Sequence, residues 1–197
     1  MLILACLLFI FVEIARCQDR SLDPSHRTIL GLVIGDSASH DIYSKMGPSI
    51  PIRDNSKPSV TQLCYVSDRD DTLIVFYSEF LRCSRVRLLS QKKWFQKWHF
   101  CTASPRVSKY LTTASGIKLG MRKPRLKAIL GLPRSETKET LNYVYEWRPA
   151  RGQTEIGEAG QHPPIGGNHH QRTTKAAIRA EFSDGGLISF DVSQSLQ

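Results

Sequence analysis

The chain has 197 residues, with 27 Lys and Arg against 18 Asp and Glu, for a formal charge of +9. With 41% hydrophobic and 23% charged residues it has the composition of a folded protein, which argues against a mainly disordered chain and against a multi-span membrane protein. The positive surplus points to acidic partners and carries no information about fold.

Met1 to Phe11 is apolar throughout, Val12 extends the run, and Glu13 and Arg16 close it. Twelve residues give a helix of only ~18 Å, short of the ~30 Å hydrocarbon core, so the segment reads as a signal peptide over residues 1–17. Ala15-Arg16-Cys17 is an imperfect cleavage site. A lipid anchor on Cys17 is the alternative, although an arginine directly before that cysteine does not fit it. The expectation is therefore an exported protein, periplasmic or extracellular, with no transmembrane span in the mature chain. Cys64, Cys83 and Cys101 remain after export, an odd number that allows one bridge and one spare thiol. Cys83 and Cys101 flank a single basic segment suited to a ladder, so Cys64 to Cys101 is the favoured pair and Cys83 is buried or free.

Gly31-Leu-Val-Ile-Gly-Asp-Ser37 opens the first folded stretch, which continues through Ile42 and Met46 to Gly47-Pro48. The order is a helix entry, a short amphipathic helix of eleven or twelve residues with Ser37 as N-cap, and a glycine C-cap. Residues 60–66, 72–77 and 84–89 then read as strands. The same punctuation returns in Gly116-Ile-Lys-Leu-Gly-Met121, with Pro124 in the first helical turn, Leu126, Ile129 and Leu130 as the apolar stripe, and Gly131-Leu-Pro133 as the stop. Strands over 140–147, 176–182 and 187–192 follow, the last two joined by the hairpin turn Ser183-Asp-Gly-Gly186. Gly35, Gly47, Gly120 and Gly131 are the structural glycines of this reading. The predicted fold is α+β in two tandem repeats, each a short helical segment packed on a three-stranded antiparallel sheet. The boundaries are 18–89 and 105–197, with a basic aromatic linker at 90–104 and a flexible insertion at 148–174.

Gly116 to Met121, the Ile129-Leu130-Gly131 and Pro133 stop, the Tyr143-Val-Tyr-Glu-Trp147 strand and the Phe182 to Asp184 hairpin resemble the SmpA/OmlA (BamE-like) domain. The first half resembles a diverged copy with one extra residue between Gly35 and Gly47. Together the two copies are similar in architecture to the β-lactamase-inhibitor-protein fold. The resemblance implies a non-catalytic envelope protein, an accessory of outer-membrane assembly or maintenance. It also admits a secreted inhibitor docking on an enzyme through a concave sheet face, with Trp94, Trp98, Tyr143, Tyr145 and Trp147 as anchor candidates.

Between Arg82 and Lys127 the chain carries thirteen basic residues and no acidic one, while acids outnumber bases in the rest. Lys92, Lys93 and Lys97 interleave there with Trp94, Phe95 and Trp98, a composition suited to an anionic lipid surface or a polyanion; the alternative is that the tryptophans plug the junction between the repeats. Arg122, Lys123 and Arg125 crowd a helix N-terminus, where each exposed cation costs ~0.3–1 kcal/mol. Either an anionic partner sits there or Glu136 or Glu139 folds back. The expected partners are an envelope protein or an anionic lipid surface, with nucleic acid not expected.

Enzymatic signatures are weak. His162, His169 and His170, with Glu155 or Glu158, are the residues that could hold zinc, but they lie in a Gly- and Pro-rich stretch with nothing to fix geometry. Neither a nucleophile elbow nor a Gly-rich phosphate loop is present. The expectation is no enzyme, no cofactor and no metal.

Overall fold

The computed structural model describes residues 21–54, 57–147 and 173–196. Residues 1–17, read above as a signal peptide, Cys17 included, and the His162, His169 and His170 segment lie outside the described residues.

A short helical turn at Pro24–Arg27 leads into the small hairpin β1 (Thr28–Ile29) and β2 (Leu32–Val33). Helix α1 (Ser39–Met46) precedes β3 (Ile52–Asp54), β4 (Lys57–Ser67), β5 (Leu73–Glu79) and β6 (Arg82–Leu89). Two helical turns, Lys92–Trp94 and Trp98–Phe100, and β7 (Thr102–Ser104) connect to helix α2 (Lys123–Leu130). The chain closes with β8 (Ser135–Glu136), β9 (Thr140–Trp147), β10 (Thr174–Ser183) and β11 (Gly186–Leu196).

The α+β layout of two tandem repeats is not what forms. Nine strands make one sheet in the order β3-β4-β5-β6-β11-β10-β9-β8, with β7 pairing β4 in parallel and every other pair antiparallel. Only two α-helices, of eight residues each, occur among the described residues. The decisive contact is β6 against β11, where Arg85 to Leu89 face Ser193 to Ser189. Each of these strands ends its half of the chain and would otherwise leave an unpaired edge, so pairing them satisfies both rows of backbone groups at once.

The strands alternate as the pleat demands. Leu63, Tyr65, Ile74, Phe76 and Val86 from one half share a single buried cluster with Leu141, Ile178, Phe182, Phe190 and Val192 from the other. Ile42 and Met46 of α1 and Leu126 and Leu130 of α2 cover that cluster from the same side. A smaller cluster on the opposite face gathers Ile52, Cys64, Leu73, Val75, Leu89 and Phe95.

Local punctuation follows the sequence closely. The Gly35 N–H donates to the Cys83 carbonyl at 2.7 Å and the Gly120 N–H to the Leu187 carbonyl at 2.8 Å, so the glycines tie equivalent entries to β6 and β11. Gly47 and Gly131 cap their helices at φ 89° and 82°, donating to Tyr43 and Lys127. The expected cap at Ser37 is displaced. The N-cap is Ala38, one residue later, and helix α1 starts at Ser39, with Asp41 accepting from the Ala38 N–H at 2.8 Å while the Ser37 hydroxyl accepts from the Val33 N–H.

Candidate functional site

The basic aromatic segment leaves β6 at Ser90, whose N–H donates to the Ile188 carbonyl, and crosses the sheet face opposite the helices. Phe95 enters the smaller cluster, Trp98 packs on its margin, and Cys101 is bonded to Cys64, the favoured pair. Among the described residues Cys83 is the free cysteine, and it is buried. The aromatics therefore cover the sheet rather than plug a junction, and Trp94 and Phe100 are the ones left outside. Lys92 pairs with Asp71 at 3.3 Å and lies over the Trp98 ring, and Lys97 donates to the Arg53 carbonyl at 3.0 Å. Lys93 is exposed and has no ion-pair partner among the described residues.

At the start of α2 the three cations separate. Lys123 donates to the carbonyls of Thr137 and Lys138 and lies 3.8 Å from Glu136, which also binds Lys127 at 2.7 Å. Those lysines hold the Glu136 carboxyl below the usual carboxylate range, chiefly through the Lys127 hydrogen bond. Glu136 thus folds back onto Lys123 and Lys127. Arg122 and Arg125 remain exposed, with no ion-pair partner among the described residues.

A cleft of about 400 Å³ opens beside them, where the β4–β5 turn, Lys109–Tyr110, Lys118–Gly120 and Gly186–Ile188 meet. Leu119, Leu187 and Ile188 give it apolar walls, and Asp70, Asp71, Lys109 and Lys118 stand among its polar lining. Arg122 bridges Gly186 through the backbone, so α2 begins at the cleft rim. Both carboxylates are already engaged. Asp70 accepts from the Thr72 N–H at 2.8 Å and the Lys109 N–H at 3.1 Å, while Asp71 holds Lys92. Burial acts to raise the Asp70 pKa, but the hydrogen bonds from Thr72, Lys109 and Ser67 outweigh it and hold the group below its ordinary value. Lys109 faces the Tyr110 ring at 5.3 Å, and Lys118 is exposed without an ion-pair partner among the described residues. The cleft end therefore carries uncompensated positive charge.

The other aromatic candidates belong to the core. Tyr143 is buried, the Tyr145 hydroxyl donates to the Leu130 carbonyl at 3.2 Å, and Trp147 packs against the main cluster. On that part of the sheet the opposite face is polar and self-paired, through Lys175 with Glu146 at 2.8 Å and Arg179 with Glu181 at 2.9 Å. Sequence reading counted Lys109 and Lys118 as charge and did not single them out; their absence from any helix or strand hid them. Among the described residues no group of three His, Cys, Asp or Glu is placed to hold a metal, and no helix is long and apolar enough to cross a membrane. In comparisons with known protein families, with curated proteins and with solved structures, nothing matched this chain.

Proposed function

We propose that the protein is an exported, non-catalytic binding protein of the envelope whose basic end engages an anionic partner, an envelope protein or lipid headgroups. The observation that carries this reading is the imbalance at the cleft: Asp71 is paired with Lys92, and Asp70, held by backbone N–H groups, is the one carboxylate facing Lys109, Lys118, Arg122 and Arg125, none of which has an ion-pair partner among the described residues. The Cys64–Cys101 bridge supports an oxidising compartment. A role in outer-membrane assembly or maintenance rests on the SmpA/OmlA-like resemblance. The inhibitor reading keeps only Trp94 as an exposed anchor, because Tyr143, Tyr145 and Trp147 pack into the core and Trp98 packs against the smaller cluster.

The test is affinity capture from envelope extracts with the native protein and with K118E/R122E/R125E. Capture should fall with charge reversal and with rising salt, since screening weakens exposed charge pairs. A partner held equally by both proteins at high salt would sink the reading.

A further inference from the structure

The hairpin joining β5 to β6 turns on two residues, Phe80 and Leu81, with Glu79 paired to Arg82 across its base. Both central residues have positive φ, 48° and 67°, the pattern of a type I′ turn. That turn favours Asn-Gly or Asp-Gly, and a bulky side chain there is strained. The chain uses the favoured chemistry elsewhere, since the β10–β11 hairpin turns on Asp184 and Gly185 at φ 52° and 78°. Leu30, at φ 55° in the β1–β2 hairpin, offsets its strain by packing against the core. Phe80 and Leu81 have no such return: they are 83% and 80% exposed.

We propose that the Phe80–Leu81 tip is a membrane-docking wedge, whose two side chains enter the boundary between headgroups and acyl chains of a lipid bilayer. It goes beyond the reading above, because the tip and the cleft lie at opposite ends of β5, about 20 Å apart at the rise of a strand. One backbone group of the tip is already satisfied. The Leu81 carbonyl accepts from both the Ser39 N–H at 2.8 Å and the Ser39 hydroxyl at 3.1 Å. Arg82 and Lys57 are exposed and have no ion-pair partner among the described residues, so they can meet lipid phosphates; Lys57 lies three residues before Val60, the register partner of Glu79. Glu79 opposite Arg82 and Asp41 beside Ala38 balance these cations, so the apolar wedge rather than net charge supplies the affinity. A bilayer is favoured over a pocket in another protein because the flanking Lys57, Pro58, Ser59 and Arg82 include no large apolar side chain, whereas protein interfaces surround an anchor with further packed contacts. A lipid boundary needs no such ring.

The test is flotation with phosphatidylglycerol/phosphatidylethanolamine vesicles, using protein recovered from an exporting host and checked by mass for the absence of lipid on Cys17. F80N/L81G removes the apolar wedge, keeps the charge and installs the preferred turn residues, so misfolding does not confound it. Wild type should float, F80N/L81G should partition about tenfold less or lower still, and L132N, which removes an equally exposed leucine away from the tip, should float as wild type; R122E/R125E is run beside them to read the basic end. Equal flotation of wild type and F80N/L81G overturns the proposal. Loss confined to R122E/R125E also overturns it and assigns the lipid contact to the basic end. A wild-type protein that stays off the vesicles overturns it as well and leaves a protein pocket as the acceptor of the tip.

Discussion

Arg85 on β6 grips Asp191 on β11 across the strand pair that joins the two halves of the sheet. Its Nε donates to Asp191 Oδ1 at 2.8 Å, a second guanidinium nitrogen reaches Oδ2, and the guanidinium lies 4.8 Å above the Tyr77 ring. In the ladder Arg85 faces Ser193 and Asp191 faces Arg87, so the ion pair is a diagonal clamp rather than a directly opposed pair. Both groups are partly withdrawn from water, Asp191 more than Arg85.

Asp191→Ala strips the clamp and leaves the guanidinium without its acceptor. Because Arg85 is 42% exposed by side chain, solvent recovers part of the loss, and the expected cost is about 1–2 kcal/mol. Urea unfolding should show a lower midpoint with an unchanged slope and a single transition, as one continuous sheet implies. Two separated transitions would mean that the halves fold independently.

Reduction of Cys64–Cys101 opens a loop whose ends are 37 residues apart. The expected loss is about 2–4 kcal/mol. Since Phe95 and Trp98 pack beside that bridge, C64S/C101S should also shift tryptophan fluorescence to the red before global unfolding. An unshifted spectrum would show that packing alone holds the segment.

Cys83 should be inert in the folded protein. Burial pushes its thiol up to about 12 from 9.0, so attack on a disulfide reagent should be slow until the chain unfolds. The sign for stability follows: the unfolded state ionises first, so this contribution is complete below about pH 9 and is lost as pH rises towards 12. Burial likewise pushes Tyr65 and Tyr143 up to about 12 from 10.0, so the decline should steepen above pH 10. Melting temperatures across the alkaline range check this, and a C83A variant should show a shallower decline. Rapid labelling of Cys83 in the native state would contradict it.

F80N/L81G should be more stable than the wild type by about 1–2 kcal/mol, because the substituted residues suit positive φ and nothing packed is lost. Thermal unfolding measures this directly. A less stable variant would mean that the tip makes contacts beyond the turn itself.

Much of the local structure was legible in consecutive residues. Gly47 and Gly131 end helices because glycine tolerates the left-handed cap, and Asp184-Gly185 turns a hairpin for the same reason. The strand over Thr140–Trp147 was visible in its alternation, and the Cys64 to Cys101 pairing followed from placement. The α1 start was misjudged because Ser37 and Asp41 both offer a cap, and only the chain path shows which N–H each can reach.

The sequence by itself determined the six longer strands and the glycine stops of the two helices, and that positive charge is concentrated between Arg82 and Lys127; the short strands β1, β2, β3, β7 and β8 were not legible in it. Tertiary structure decided that β6 and β11 merge the halves into one sheet, that Phe95 and Trp98 turn inward, and that Glu136 takes Lys123 and Lys127 while Arg122 and Arg125 stay free. The reason is range. Caps and turns depend on neighbours a few residues away, whereas edge pairing and charge compensation depend on groups brought together from far along the chain, as Arg85 and Asp191 are from 106 positions apart.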